Sequence, residues 1–334
     1  MALAPRAVVV HRRSELDLLL ERHGTRGQAE FFLRSRGRDL DVVQNRHDAL
    51  AEALHQVDSA IPGGWRRAGV EREDLPRLRF DPEDVVLAVG QDGLVANVAK
   101  YVADQPVIGV DPEPGINPGV LVRHAPASVA AVLLAVAAGT AAVQRRCMVE
   151  ASLDDGQVLR ALNELYLGDP GHQSARYRLL APQTSVDVVG GDDVDRAAGP
   201  GPNSGSGSNS GSGSGPHSGS GAGSGERQSS SGVVIGTGTG ATGWCASLAH
   251  DRARPPALPG PLDESLAWFV REAWPSPFTG TTWTEGLLQP GEALRLIAEG
   301  DLVVFGDGLE SDRLRVGWGQ QITVRAASSH LSLV

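Results

Sequence analysis

The rhythm of hydrophobic and polar positions changes near the middle of the chain. Ala7 to Val10 is a short apolar run of strand type, and ELDLLLERHG begins a helical segment with leucines on a repeating face. QAEFFLRSRG is again helical and is stopped by Gly37; LDVVQ reads as a second strand, and RHDALAEALHQVDSAI returns to helix. DVVLAVG and PVIGV are near-continuous apolar strands with a helical crossover between them, the pattern of a parallel sheet covered on both faces. Residues 1–143 are therefore expected to form an α/β domain. The Ala-rich run Ala125 to Val143 predicts a buried or amphipathic helix rather than a membrane span, given its Ala and Gly content and early Pro126.

After Arg145 the segments are short, roughly alternating and punctuated by Gly, Asp and Pro, so residues 144–334 are expected to be β-rich. CMVEASLDDG, SARYRLLAPQ, LVVFGDGL, RLRVGWG and QITVRAA all have this texture, and Gly306, Asp307 and Gly308 read as a turn between two strands. Inside this half, at about residues 190–230, lies a Gly/Ser tract that cannot bury enough apolar surface to offset the entropy of ordering it. It is expected to be a disordered surface loop of the second domain, because closure entropy grows only logarithmically with loop length.

Composition narrows the function classes. The 334 residues, 41% of them hydrophobic, suit a soluble two-domain protein, and a net charge of -10 argues against a nucleic-acid or anionic-membrane binder. Lys100 is the only lysine, which excludes a Walker-type lysine in any glycine loop. Cys147 and Cys245 are isolated, supporting neither a disulfide framework nor a zinc site. With no signal-peptide h-region in MALAPRAVVVHRR, a cytoplasmic protein is expected.

Three motifs could carry chemistry. GQDG, Gly90 to Gly93, follows a parallel-type strand and opens a helix, where free N–H groups and the helix dipole favour phosphate. Asp92 there either caps the helix or serves a phosphate-bound reaction, by taking a proton or holding Mg2+. SGVVIGTGTGATGWCASLAH contains a formal G-x-G-x-x-G at Gly238, Gly240 and Gly243, but RARPPALPGPLDE follows where a dinucleotide fingerprint needs a second parallel strand. Thr237, Thr239 and Thr242 would then be either turn caps or hydroxyls offered to a nucleotide. In ALNELYLGD the Asn163–Glu164 pair suits a ribose diol and an adenine edge, or is a solvated pair at a strand start.

In this order the three motifs resemble the NAD kinase family, with its GGDG loop, Asn-Glu pair and threonine-rich loop. The likeness is greatest to the mitochondrial-type branch and its bacterial relatives: PVIGV at Pro106 to Val110, ALNELYLGD, SGVVIGTGTGATGW, and Val270 to Glu272 all match its segments. The resemblance implies ATP-dependent, Mg2+-assisted phosphorylation of the adenosine ribose 2'-hydroxyl of NAD, giving NADP. It implies a Rossmann-like α/β domain packed on a C-terminal β-sandwich, usually as a homodimer or homotetramer. Carried over, Asp92 is the catalytic residue, in a loop formed by Gly90, Gln91 and Gly93. Asn163 and Glu164 hold the adenosine half of NAD, and Thr237, Thr239, Gly240, Thr242 and Trp244 line the nucleotide site. The chain departs from the family at Gln91, where the loop has its second glycine, and at Gly243, where alanine is usual. Two alternatives to an active kinase stay open: an NAD sensor that lost ATP binding through Gln91, and a kinase for a lipid or sugar hydroxyl.

Overall fold

A computed structural model describes residues 4–116, 119–184 and 225–334. The first half contains β1 (Arg6–His11), α1 (Glu15–His23), α2 (Arg26–Arg34), α3 (Leu40–Ala60), β2 (Arg66–Glu71), β3 (Asp84–Val89), α4 (Asp92–Ala99), β4 (Pro106–Val110) and α5 (Val129–Ala137). β2, β1, β3 and β4 pair in that order, all parallel. β3 is buried at every position, as a strand covered on both faces must be. One face packs on α3 and α5 through Val57, Leu87, Ile108 and Leu133; the other packs on α4 through Val8, Val86, Val95 and Val98.

The LDVVQ run is not a strand but the first turns of α3. Asp39 caps this helix by accepting the Asp41 N–H, and Leu40 and Val43 bury against α1 and α2 while Val42 stays 51% exposed. Leu40 and Val43 are three apart, a helical spacing that a four-residue apolar run is too short to reveal. The second strand is RRAGVE, an edge strand burying only Val70, so its sequence carries almost no hydrophobic signal. α5 is nine residues long, buried at Val129 and Leu133, and no helix among the described residues is long and apolar enough to cross a membrane.

The second half contains β5 (Gln144–Leu153), β6 (Val158–Ala161), β7 (Glu164–Gly168), β8 (Ala175–Thr184), β9 (Gly225–Ser230), β10 (Val233–Gly236), α6 (Trp244–His250), β11 (Leu266–Val270), β12 (Glu285–Leu288), β13 (Glu292–Ala298), β14 (Leu302–Gly306), β15 (Leu309–Val316) and β16 (Gln321–Leu333). Six of these form an antiparallel sheet ordered β12-β11-β10-β7-β14-β15. The others extend the first sheet: β16 pairs with β13 and β5 and then, past an irregularity between Ala326 and His330, runs parallel to β4 at Ser332 and Leu333. The two sheets share an apolar core that includes Leu165, Leu179, Ile235, Trp268, Leu296 and Ile322. β8 and β9 pair antiparallel with Leu180 opposite Gly225. The Gly/Ser tract therefore connects two neighbouring strands; its expected disorder concerns residues outside those described.

Candidate active site

The chain leaves β1 for β2 on one side and leaves β3 for β4 on the other, so the carboxyl ends of β1 and β3 flank a topological switch point. Such a crevice is where open α/β sheets bind ligands. Here it is a cavity of about 380 Å³ lined by Arg12, Arg13, Arg46, Arg72, Gly90 and Gln91, with Glu71, Glu73 and Glu113 on its walls. Arg13 is paired with Glu21 and Glu71. Burial, and then the neighbouring Arg72, lower the pKa of Arg12, and a bound anion would favour its charged form.

Gln91 sits at the N-cap of α4 with φ -98° and ψ 166°, an extended conformation open to any residue, and its exposed side chain makes no cap bond. The turn therefore accepts a non-glycine residue here without backbone strain. Asp92 begins α4 and does not cap it. Its Oδ2 accepts the Val120 N–H at 2.7 Å, and its Oδ1 accepts those of Leu121 and Val122 at 2.9 and 3.0 Å. Gly119 makes this approach possible, since a Cβ there would lie 2.4 Å from Asp92 Oδ1. Gly93 is exposed with open space around it, which leaves the first N–H groups of α4 accessible. Asp92, Asp111 and Glu113 line a neighbouring cavity of about 360 Å³ that also includes Gly90, Gln91 and Gly93.

A second cluster forms at the other end of α4. The Thr237 hydroxyl donates to the Leu162 carbonyl at 2.6 Å and accepts the Thr239 and Gly240 N–H groups, while its own N–H donates to the Asn163 carbonyl. Thr237 thus shapes the loop with its hydroxyl fully engaged. Gly240 lies against Asn163 so closely that an added Cβ would be 2.2 Å from the Asn163 carbonyl oxygen. Thr239 Oγ1 is buried with no hydrogen-bond partner among the described residues. Thr242 is exposed and donates weakly to the Thr239 carbonyl at 3.4 Å. β10 enters this loop from an antiparallel sheet, so Gly238, Gly240 and Gly243 are not a dinucleotide fingerprint.

Glu164 opens β7 on the face away from the inter-sheet core, alternating with Leu165. Burial, and then the charge of Asp307, push its carboxyl up to about 7 against the pull of Lys100. Two residues on, Tyr166 stacks on Trp244 with ring centres 5.6 Å apart, and Arg271 lies over the Trp244 ring at 5.4 Å. With Phe305 and Arg313 these residues line a cavity of about 450 Å³.

The structure thus brings Asn163, Glu164, Thr237, Thr239 and Gly240 together, with Trp244 near by. Gly90, Gln91, Asp92 and Gly93 form a separate cluster, and no hydrogen bond among the described residues joins Asp92 to Glu164. Lys100, at the end of the helix that Asp92 begins, donates to the Gly306 carbonyl of the second cluster.

No known family model and no curated protein matches the chain. A solved structure does: the crystal structure of an NAD kinase from Archaeoglobus fulgidus in complex with ATP, at 16% identity and a TM-score of 0.51. The match covers 98% of this chain and 92% of that one. The likeness is one of fold. The chain has a mixed α/β, NAD kinase-like fold with two large sheets.

Two sets of site residues escape sequence reasoning. Arg12 and Arg72, just past the ends of β1 and β2, and Arg46 on α3 are brought together only by the fold and carry no motif. Asp307 reads as a turn residue, and it is one, but its carboxylate also accepts the Leu162 and Asn163 N–H groups at 2.9 and 2.7 Å. Its one sequence signal is its place between two glycines.

Proposed function

We propose that the protein transfers the γ-phosphoryl group of ATP to the 2'-hydroxyl of the adenosine ribose of NAD, giving NADP. The corner where Thr237 meets Leu162, 75 positions away, carries this reading. It gathers an acid, an amide and an orphaned buried hydroxyl on one spot. Glu164 can accept both ribose hydroxyl hydrogens, Asn163 can donate to and accept from an adenine edge, and Thr239 Oγ1 supplies a further polar partner. Tyr166 and Trp244 offer flat aromatic surface to a ring. The fold likeness to an NAD kinase that holds ATP agrees with this assignment.

On the donor side, the N–H groups at the start of α4 and the arginines of the switch-point crevice suit a triphosphate. Phosphoryl transfer needs mainly positioning and charge neutralisation, so the missing Walker lysine is no obstacle. Asp92 is the proposed catalytic residue, orienting the hydroxyl or taking its proton; its bonds to residues 120–122 fix its place. No group of three or more His, Cys, Asp or Glu among the described residues is placed to hold a metal. Mg2+ would arrive with the phosphates, since it commonly takes only one or two protein carboxylates. Asp92, Asp111 and Glu113 are the carboxylates that could hold it, and the ion would shield the phosphate charge. Cytoplasmic location and a homodimeric or homotetrameric state belong to the same proposal.

The decisive assay incubates purified protein with NAD, ATP and Mg2+ and follows NADP with an NADP-specific dehydrogenase. NADP formation that disappears in Asp92→Asn is the expected result. NAD binding with no NADP above the Asp92→Asn level would sink the kinase reading, and faster phosphorylation of a lipid or sugar hydroxyl would replace its acceptor. The unstrained, exposed Gln91 favours catalysis over a sensor.

A further inference from the structure

The turn between β14 and β15 holds a feature that the proposed reaction does not use. Asp307 has φ 53°, a left-handed conformation that Asp tolerates in a two-residue hairpin turn. Gly308, also left-handed at φ 67°, follows it. Three hydrogen bonds hold Asp307 there: its carboxylate accepts the Leu162 and Asn163 N–H groups, and its own N–H donates to the Glu164 carbonyl at 3.1 Å. One residue therefore grips the backbone on both sides of the Asn163–Glu164 peptide.

The turn is tied in turn to α4. Lys100, its side chain 4% exposed, donates to the Gly306 carbonyl at 2.8 Å and to Asp312 Oδ2 at 3.0 Å. The only lysine of the chain is thus spent on joining the Asp92 helix to the turn that grips the Asn-Glu pair.

We propose that Asp307 and Lys100 are positioning residues for the NAD-binding pair Asn163–Glu164, with Asp307 fixing its backbone and Lys100 tying the Asp307 turn to α4. The proposal rests on the NAD kinase reading above. The groups facing Glu164 are Asp307 from the β14–β15 turn, Lys100 from α4 and the Cys245 thiol from α6, whose own pKa Glu164 helps to raise. Asp312 of β15 pairs with Lys100. Burial pushes Asp307 up to about 6, against the two N–H donors and Lys100. Glu164 and Asp307 therefore compete over ionisation near neutrality, with Lys100 favouring the charged form of both. Because a ribose diol is held by the carboxylate form, NAD affinity falls on the acid side of this titration.

The test is NAD binding by calorimetry from pH 5 to 9, beside NADP formation, for wild type, Asp307→Asn, Lys100→Met and Lys100→Arg. Asp307→Asn should raise the Kd and KM for NAD about tenfold, the equivalent of one lost charge-assisted hydrogen bond, with a smaller change in kcat. Its acid limb should move to lower pH, because a negative neighbour is gone. Lys100→Met should move the limb to higher pH, and Lys100→Arg should restore it. These opposite shifts are what a merely structural role does not produce. Unchanged limbs in both variants, or shifts in the same direction, overturn the proposal even if thermal stability falls. If Asp307→Asn fails to fold, the Lys100 pair decides alone: a limb that stays in place in Lys100→Met overturns it. Wild type that binds NAD with these shifts yet makes no NADP refutes the kinase reading and leaves the positioning roles standing. Wild type that binds no NAD overturns both.

Discussion

Gly240 carries the tightest packing constraint on the Asn163–Glu164 corner, and Gly240→Ala tests it. The added Cβ would lie 2.2, 2.5 and 2.8 Å from the oxygen, carbon and Cα of Asn163. All three are backbone atoms, and the Asn163 peptide is already fixed by the Thr237 N–H on its carbonyl and by Asp307 on its own N–H. No side chain can swing aside, so loop and strand must separate by about an ångström, at an overpacking cost of about 1–3 kcal/mol. That movement falls between Asn163 and Thr239, where the adenosine is proposed to bind. Gly243→Ala is the comparison: its Cβ would meet nothing closer than Gly240 O at 3.6 Å, so any cost it carries comes from its own backbone, φ -106° and ψ -112°, and not from packing on Asn163. Thermal unfolding and NAD titration of the two variants are the assay. Gly240→Ala should lower Tm by a few degrees and weaken NAD binding about tenfold or more, about 1.4 kcal/mol. A Gly240→Ala variant with wild-type stability and wild-type NAD affinity refutes the packing argument.

Gln91→Gly should change stability by only a few tenths of a kcal/mol, because Gln91 adds no cap bond and sits in unstrained backbone. An ATP KM that falls a hundredfold in that variant would mean the glutamine does obstruct the donor site. Asp84→Ala should destabilise by about 3 kcal/mol or more, since Asp84 is wholly buried and is paired with Arg6 through two hydrogen bonds; a urea midpoint within error of wild type would contradict this. Glu164→Gln should have a pH-dependent effect. The unfolded carboxyl ionises near 4.5 and the folded one near 7, so Glu164 disfavours the folded state progressively from about pH 4 to 7 and fully above it. At pH 8 the Gln variant should be the more stable by up to about 3 kcal/mol, since each tenfold change in the ionisation constant is worth about 1.4 kcal/mol, and at pH 4 the gain should vanish. Equal urea midpoints at pH 8 would count against the buried charge.

Much of the fold was legible because burial leaves a mark on composition. β3 and β4, covered on both faces, are unbroken apolar runs, and Asp92 and its glycines follow the first of them where the parallel-strand reading puts a turn. The misread LDVVQ and the missed β2 show the limit of that mark. An edge strand such as RRAGVE buries one residue, and nothing in its pattern distinguishes it from a loop. The site divides along the same line. Asn163 and Glu164 stand out because an amide beside a carboxylate at the start of an apolar strand is chemically unusual. Arg12 and Arg72 do not, since arginine is the common basic residue of this chain and their meeting depends on β1 lying between β2 and β3. Asp307 illustrates a subtler loss. Its turn geometry and its carboxylate both matter, and a sequence offers only the first, because the N–H groups it accepts are about 145 positions away.

The separation of Asp92 from Glu164 bears on how a single reaction could use both. Each belongs to a cluster built on backbone: Asp92 holds residues 120–122, and Asp307 holds residues 162 and 163. α4 links the two, with Asp92 on its first turn and Lys100 at its C-cap donating to the Gly306 carbonyl. A helix buried from Leu94 to Ala99 is stiff, so the spacing of the two clusters is set by its length rather than by side-chain rotamers. β16 reinforces this spacing, pairing with β5 and β13 in one half and with β4 in the other. A transfer that uses both clusters requires the ribose 2'-hydroxyl to lie within hydrogen-bond reach of Asp92 as well as of Glu164.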